Sequence, residues 1–498
     1  MREDHKFLRS AGWIALAIFA VAFLDGRLQG ALTVLMFLVT LGATLQNRRG
    51  IALSCFILFP ILQTLNPLVF QFSYVGSVVN RISMFVLSFV IVVSATRSKG
   101  NNRLSLGTLW LYLLLAVVSS AQGYYPQISY LKLANFTAFL VGIWLGTRNL
   151  QNSPKDLFVL RVFIMGVCLF LILGSAALLP FPGYAYLNLR SAVVSGGIAQ
   201  AEAEYAEMMA SGSGISLFAG VTNQSQCLGP MLAAAVIWIL CDMLFILKRI
   251  EKYRAIIALS GLVLMFMTHS RTSLVAFMAG CFVMVFFVLK RIRMSPHARR
   301  RVVSGVYFSI ILFVCWVIQA EIRHGEMTKW LMKYQSDSSQ SLVEGMTYSR
   351  QGLIEQNWND FHYNEFLGCG FQVAWTHPLI YAGKGGLILS APIEKGVLPL
   401  MVLGEGGVVG AFAFAIFLIA FYSGCIRSRH YVSMLLFTVL LASNMGEADF
   451  FSPGGIGGAK WVLCVVGGFV IDTMLLYQQK IQRRIPIVAG HGPMPRWR

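Results

Sequence analysis

Long apolar runs recur along the whole chain, separated by short polar breaks. VLSFVIVVSA (86–95) and FMAGCFVMVFFVL (277–289) are continuous, without the alternation that marks a half-buried strand. Fourteen such segments stand at about 10–26, 28–46, 50–66, 81–97, 104–121, 131–148, 157–180, 226–247, 253–269, 271–289, 302–320, 397–424, 430–446 and 460–478. A run of this kind buries its backbone polar groups by becoming a helix, the only open-chain solution in a lipid interior. An outer-membrane barrel would show alternating segments of about ten residues instead. The pattern predicts an all-α, polytopic helical membrane protein with about fourteen transmembrane helices.

Composition narrows the class. Of 498 residues, 57% are hydrophobic and 12% charged, with a mean hydropathy of +0.68. Soluble domains carry about 25% charged residues, so an ordinary soluble enzyme, a disordered chain and a collagen-like fibre are excluded. The N-terminus has a basic flank followed by AGWIALAIFAVAFL, and no A-x-A site follows. It is expected to be an uncleaved first span.

The formal charge of +19 would fit a nucleic-acid binder, but its distribution fits a membrane. With the N-terminus in the cytoplasm, 28 of the 40 Lys and Arg fall on the inner side, against 6 of the 21 acids. That is the positive-inside asymmetry; no nucleic-acid partner is expected. The basic cluster at 290–301 suits anionic headgroups, making membrane lipid a partner. Both termini are expected on the cytoplasmic side. Nine cysteines are scattered without a C-x-x-C pair, and Cys369 alone sits clearly in an outer loop, so neither a disulfide framework nor a zinc site is expected.

Two connections are long, and both fall on the outer face. The chain divides into an N-terminal bundle (1–180), a first outer loop (181–225), central helices (226–320), a large outer loop (321–396), C-terminal helices (397–478) and a cytoplasmic tail (479–498). The first loop holds AEAEYAEMMA (201–210), a predicted short helix, and then SGSG. In the second, TYSRQGLIEQNWNDFHYNEF (347–366) places Leu353, Ile354, Asn357, Trp358 and Phe361 at helical spacing. This predicts an amphipathic helix lying on the bilayer or capping the bundle. Irregular polar chain concentrated on one face points to function there.

Three blocks carry candidate chemistry. THSRTS (268–273) puts Arg271 at a helix N-terminus beside the hydroxyls of Ser270, Thr272 and Ser273, a corner suited to phosphate. Its plain alternative is a snorkelling arginine with capping hydroxyls. Arg350 opens the amphipathic helix of the large loop, where a solvated loop arginine is the plain alternative. APIEKGVLPLMVLGEGGVVG (391–410) carries Glu405 near the outer end of an apolar helix. An ionisable group at that depth is costly and has a role or a partner, although the surrounding glycines also suit close helix packing.

Together these blocks resemble the O-antigen ligase and polymerase superfamily of bacterial envelope proteins. The resemblance covers about 215–424: ISLFAGVTNQSQCLGP (215–230) offers Asn223, then come Ser270-Arg271-Thr272, Arg350 and Trp358 in the large loop, Gly368-Cys369-Gly370, and Leu403-Gly404-Glu405-Gly406-Gly407-Val408-Val409-Gly410. A His-Asn pair of the family pattern would fall near 394–397, where Glu394 and Lys395 stand instead, which weakens the ligase reading. The first 200 residues match only as generic spans.

The resemblance implies a metal-independent glycosyltransferase without cofactor. It would polymerise a surface polysaccharide, an O-antigen or exopolysaccharide, from an undecaprenyl-diphosphate-linked glycan at the periplasmic face. A chain-length regulator protein is the partner such a role admits. Negative charge grows on the leaving diphosphate, so fixed cations lower the barrier, and Arg271 and Arg350 are the expected clamp. The acceptor hydroxyl needs a base: Glu394 first, His377 second. Asn223, Ser270, Thr272, Trp358 and Glu405 are the expected substrate-binding residues. The alternatives are an O-antigen ligase, a polysaccharide or lipid transporter, and an assembly protein without chemistry.

Overall fold

The computed structural model describes residues 2–22, 26–66, 69–70, 74–95, 105–150, 153–186, 218–285, 300, 304, 351–374 and 396–484. The described residues are all-helical, with two isolated bridges, Leu65 to Thr222 and Tyr186 to Phe218. The helices are α1 (Arg2–Ala22), α2 (Gly26–Leu45), α3 (Arg49–Leu62), α4 (Tyr74–Ala95), α5 (Leu109–Gln122), α6 (Pro126–Leu150), α7 (Pro154–Ala177), α8 (Ser225–Leu247), α9 (Lys252–Met267), α10 (Arg271–Val283), α11 (Gln351–Tyr363), α12 (Leu398–Ser428), α13 (Tyr431–Ser443) and α14 (Gly455–Trp461, continuing through Val462–Val466 to Gly467–Arg484). Six segments are long and apolar enough to cross a membrane: Asp4–Ala22, Pro126–Arg148, Pro154–Ala177, Ser225–Leu247, Leu398–Ser428 and Gly455–Lys480. The chain is a multi-pass membrane protein.

Every predicted apolar segment among the described residues falls on a helix; 302–320, apart from Ser304, lies outside them. Boundaries moved where proline rules. α6 starts at Pro126 rather than 131, because proline is favoured in a first turn. α3 stops at Leu62 rather than 66, because Asn66 precedes Pro67 and is steered away from helical backbone. Predicted elements at 201–210 and the basic cluster at 290–301, apart from Arg300, also fall outside the described residues.

α7, α8 and α14 are the inner helices, buried over most of their length and largely apolar, with Arg161, Asp242, Lys460 and Asp472 as buried charges. α8 packs against α9, α10, α13 and α14. Each of α7, α8 and α14 contains a π turn, at Phe170–Gly174, Asp242–Leu247 and Val462–Val466. A π turn displaces the regular hydrogen-bond ladder, and Trp238 of α8 donates its indole N–H to the Gly467 carbonyl just beyond the turn in α14, at 3.1 Å.

Among the described residues, the bonds between connections divide into two sets that follow the alternation of the helices. At one end, Gly50 N–H bonds to Asp156 at 3.1 Å, Asp4 pairs with Arg249, and Asp472 accepts the Val432 and Ser433 N–H groups at 3.0 and 2.7 Å. At the other, Asn223 N–H bonds to the Thr64 carbonyl, Tyr124 N–H to Cys369, Leu398 N–H to Asn444 and Gly455 N–H to Gln63. The first end carries most of the described Lys and Arg. α8 and α12 end there on left-handed Lys248 and Arg429, where a cation complements the helix C-terminus.

A buried knot ties the basic end. Asp242 accepts Arg161 at 2.6 and 3.0 Å and also pairs with Arg254, which reaches Glu251 at 2.8 Å. Both guanidinium groups lie over the Phe7 ring, at 4.4 and 4.9 Å from its centre. Two cations and two carboxylates balance, which is the condition for charges to remain buried.

Candidate functional site

The end opposite the basic one holds all the described motif residues, in two groups. The first is built on α8 and α10. Buried Asn66 donates to the Tyr184 carbonyl at 2.8 Å and the Gly220 carbonyl at 3.2 Å, anchoring the segment that leads to Asn223. Asn223 N–H bonds to Thr64 at 2.8 Å, and its side-chain oxygen accepts the Cys227 thiol at 3.0 Å. One turn on, Gly229 lies directly against the side chains of Thr268, Ser270 and Ser273. The tertiary fold thus sets the described part of this segment, 218–230, against the Ser270-Arg271-Thr272 turn.

Within that turn the hydroxyls form a chain. Ser270 and Thr272 meet at 3.1 Å, Ser273 donates to the Ser270 carbonyl at 2.5 Å, and Thr268 accepts the Ser270 N–H at 3.3 Å. Ser270 is buried, while Arg271 and Thr272 are half-buried. Arg271 occupies the first position of α10. A cation there opposes the helix dipole, so helix stability is not a reason for its placement. The arrangement can present a guanidinium, hydroxyls and a helix N-terminus to an anion.

The second group surrounds a break in α12. Gly407 has φ 61 and ψ −165, a conformation essentially restricted to glycine. The broken ladder is repaired by the turn 364–372. Cys369 and Gly370 N–H bond to the Gly404 and Glu405 carbonyls at 2.9 and 3.2 Å, while Val408 and Val409 N–H bond to Glu365 and Phe366 at 2.8 and 3.2 Å. Ser119 donates to the Glu405 carbonyl at 2.5 Å. Gly368, at φ 75, packs so closely on the Glu405 backbone that a Cβ would collide with it; a Cβ on Gly407 would strike Phe366. The Gly-x-Gly turn and the Gly-Glu-Gly-Gly segment are therefore the two halves of one clasp. Its backbone groups are satisfied by protein, as irregular chain inside a membrane helix requires.

Glu405 is buried beside Tyr112, whose hydroxyl lies within electrostatic reach of its carboxylate and whose ring packs over Gly406 and Gly410. The adjoining ends of α5 and α6 grip the continuing turn: Ser129 bonds to the Phe371 carbonyl at 3.0 Å and to the Ser120 hydroxyl at 2.6 Å, and Lys132 donates to the Gln372 carbonyl at 2.8 Å. Tyr112 stacks on Phe451 at 4.9 Å, joining the clasp to the buried pair of Lys460 and Asp449, 2.8 Å apart. Burial pushes the Asp449 carboxyl above its usual range, and Lys460 draws it partly back.

Tyr112, Lys132, Ser119 and the Asp449–Lys460 pair were missed in the sequence. Lys132 and Lys460, single cations beside apolar stretches, were the available signal. Cys369, expected in an accessible loop, is fully buried, its thiol directed to the Val373 carbonyl at 3.4 Å. Trp358 is half exposed on α11. Arg350, His377 and Glu394 lie outside the described residues. Among the described residues no cluster of His, Cys, Asp and Glu has the grouping of a metal site. Comparison with known families and with curated proteins gives no match to this chain.

Proposed function

We propose that this protein is a surface-polysaccharide polymerase of the O-antigen ligase and polymerase type. It has about fourteen spans in a bacterial inner membrane, both termini in the cytoplasm, and the loops 181–225 and 321–396 in the periplasm. The observation that carries the reading is the pairing of its motif segments. Residues 218–230 meet 268–273, and 366–371 meet 403–410, all at the end opposite the basic one. In this reading Arg271, with Ser270 and Thr272, receives the diphosphate of an undecaprenyl-diphosphate-linked glycan as the acceptor hydroxyl displaces it. Arg350 supplies the second cation, Asn223 lines the path of the sugar, and Glu394 or His377 takes the proton. Fixed cations stabilise the charge that grows on the leaving group, so no metal is required.

The experiment is polymerisation of lipid-diphosphate-linked repeat units by purified protein. Arg271→Ala should abolish polymer at unchanged protein level, and Arg271→Lys should rescue poorly, because a point charge cannot replace a bidentate fork. Glu394→Gln should slow transfer by about 10²–10⁴-fold while donor binding persists. Full polymer from Arg271→Ala would refute the clamp, and polymer transferred once to a lipid acceptor would move the reading to a ligase.

The broken helix α12 favours a second reading, a transporter, since discontinuous helices line many transport sites. Against it, the N–H and carbonyl groups around the break bond to the 364–372 turn and Ser119 and are therefore not offered to a substrate.

A further inference from the structure

The helix α11 has three sides, and they do not divide as an ordinary amphipathic helix would. Its packed side is largely polar: buried Asn357 and Asp360, with half-buried Leu353 and Gln356, lie towards α12, where the Asn357 carbonyl and Asp360 side chain sit against Gly404. Next around the helix at 3.6 residues per turn come Phe361, Ile354 and Trp358. Ile354 and Trp358 are exposed, and among the described residues Trp358 stacks on its own helix neighbours Phe361 and His362 at 5.5 and 5.1 Å. The third side is Glu355, Asn359 and His362, all exposed and polar.

Protein, apolar exposed and polar exposed surfaces therefore follow one another around a single helix. A helix wholly in water gains nothing from a tryptophan and isoleucine stripe beside an acidic one. A helix wholly in hydrocarbon could not present Glu355, Asn359 and His362. The boundary between headgroups and acyl chains satisfies both sides at once. Neighbouring chain continues the apolar side: Phe366 is 73% exposed just after α11, and its carbonyl accepts the Val409 N–H. Val408 and Phe412 on the same helix are 53% and 69% exposed, so the stripe runs into the outward apolar face of α12. Tyr363 rests on Tyr124 at 4.1 Å and bonds to the Gln122 carbonyl, adding amphipathic rings of the kind that gather at the interface.

We propose that α11 is an interfacial helix whose Ile354, Trp358 and Phe361 side, continued by Phe366, Val408 and Phe412, sits in the headgroup–acyl boundary of the bilayer, with Glu355, Asn359 and His362 in water. The occupant of this surface is lipid. The polar side fixes α11 to the glycine-rich break in α12, so the break and the bilayer surface are held at a set distance through one short helix.

The test is site-directed fluorescence on the full chain in phosphatidylcholine–phosphatidylglycerol vesicles. An environment-sensitive label is placed on Ile354→Cys, Glu355→Cys, Trp358→Cys and Asn359→Cys in turn, with labelling of the unsubstituted protein subtracted. Labels at 354 and 358 should be quenched several-fold more by a lipid bearing its nitroxide near the headgroup than by aqueous iodide. Labels at 355 and 359 should show the reverse. Iodide quenching of all four alike would place the helix in water and overturn the proposal. Lipid quenching of all four alike would submerge it and overturn the orientation. Protection of 354 and 358 from both quenchers would mean that protein, a partner or a second copy, covers the face. All four positions are exposed, so the substitutions leave packing intact; a melting temperature equal to that of the unsubstituted protein checks this.

Discussion

The two ends of the bundle are held by opposite means. At the basic end, long charged side chains meet in the interior: Asp242 between Arg161 and Arg254, with Phe7 beneath both cations. At the other end, the backbone of the 364–372 turn meets the backbone of α12, with glycines removing the side chains that would keep them apart. The difference lies in which groups each device uses. An ion-pair knot uses its charges on itself. The glycine clasp takes its bonds chiefly from N–H and carbonyl groups, helped by the hydroxyls of Ser119 and Ser129 and the ammonium of Lys132. The chemistry proposed for this protein is assigned to the second end, where the described motif segments gather.

The largest effect should come from the knot. Asp242→Ala leaves two buried guanidinium groups without their shared carboxylate and should cost about 3–5 kcal/mol, read as a lower melting temperature in detergent and a smaller monodisperse peak. A variant as stable as the parent would show that the knot is not structural. Next is the clasp: Gly407→Ala should cost on the order of 3 kcal/mol, the upper part of the range for a forced backbone, because the Cβ also meets Phe366. Gly404→Ala, facing the Asn357 carbonyl at 3.1 Å with ordinary helical backbone, should be milder, and equal losses would remove the special status of the break.

Lys460 and Asp449 form an ion pair at the clasp end, so they test whether the contrast is complete. Lys460→Met alone should destabilise more than the double variant with Asp449→Asn, since an unpaired buried carboxylate costs more than a neutral pair. The sign of its pH dependence follows from the raised pKa. Folding takes up a proton on Asp449 between the unfolded and folded values, so this contribution is full at acid pH and is lost as pH rises through the folded value. The penalty of Lys460→Met should therefore shrink as pH falls, and a penalty constant with pH would exclude Asp449 as its source. Smallest is Ser119→Ala, which removes one bond to the Glu405 carbonyl and should cost about 1 kcal/mol, measured by the same melting shift.

What the sequence determined by itself was local or additive. Helical identity follows from unbroken apolar runs, since a chain in lipid must pair its own backbone groups, and the runs fell on helices with prolines adjusting the ends. The basic asymmetry between alternate connections needed only counting. The motif segments could be named from residue types, but not their pairing. That Gly229 touches Ser270, or that Gly368 and Gly407 interlock, depends on contacts between residues far apart in the chain. The face of α11 is the sharpest case. Periodicity placed Leu353, Ile354, Asn357, Trp358 and Phe361 together, yet the packed side is Asn357 and Asp360 while Ile354 and Trp358 point away. Hydrophobic spacing tells which residues share a side, but where lipid competes with protein for apolar surface, the neighbours decide which side turns inward. The tertiary structure made that choice by offering α11 the bare backbone of a broken helix, against which polar side chains fit.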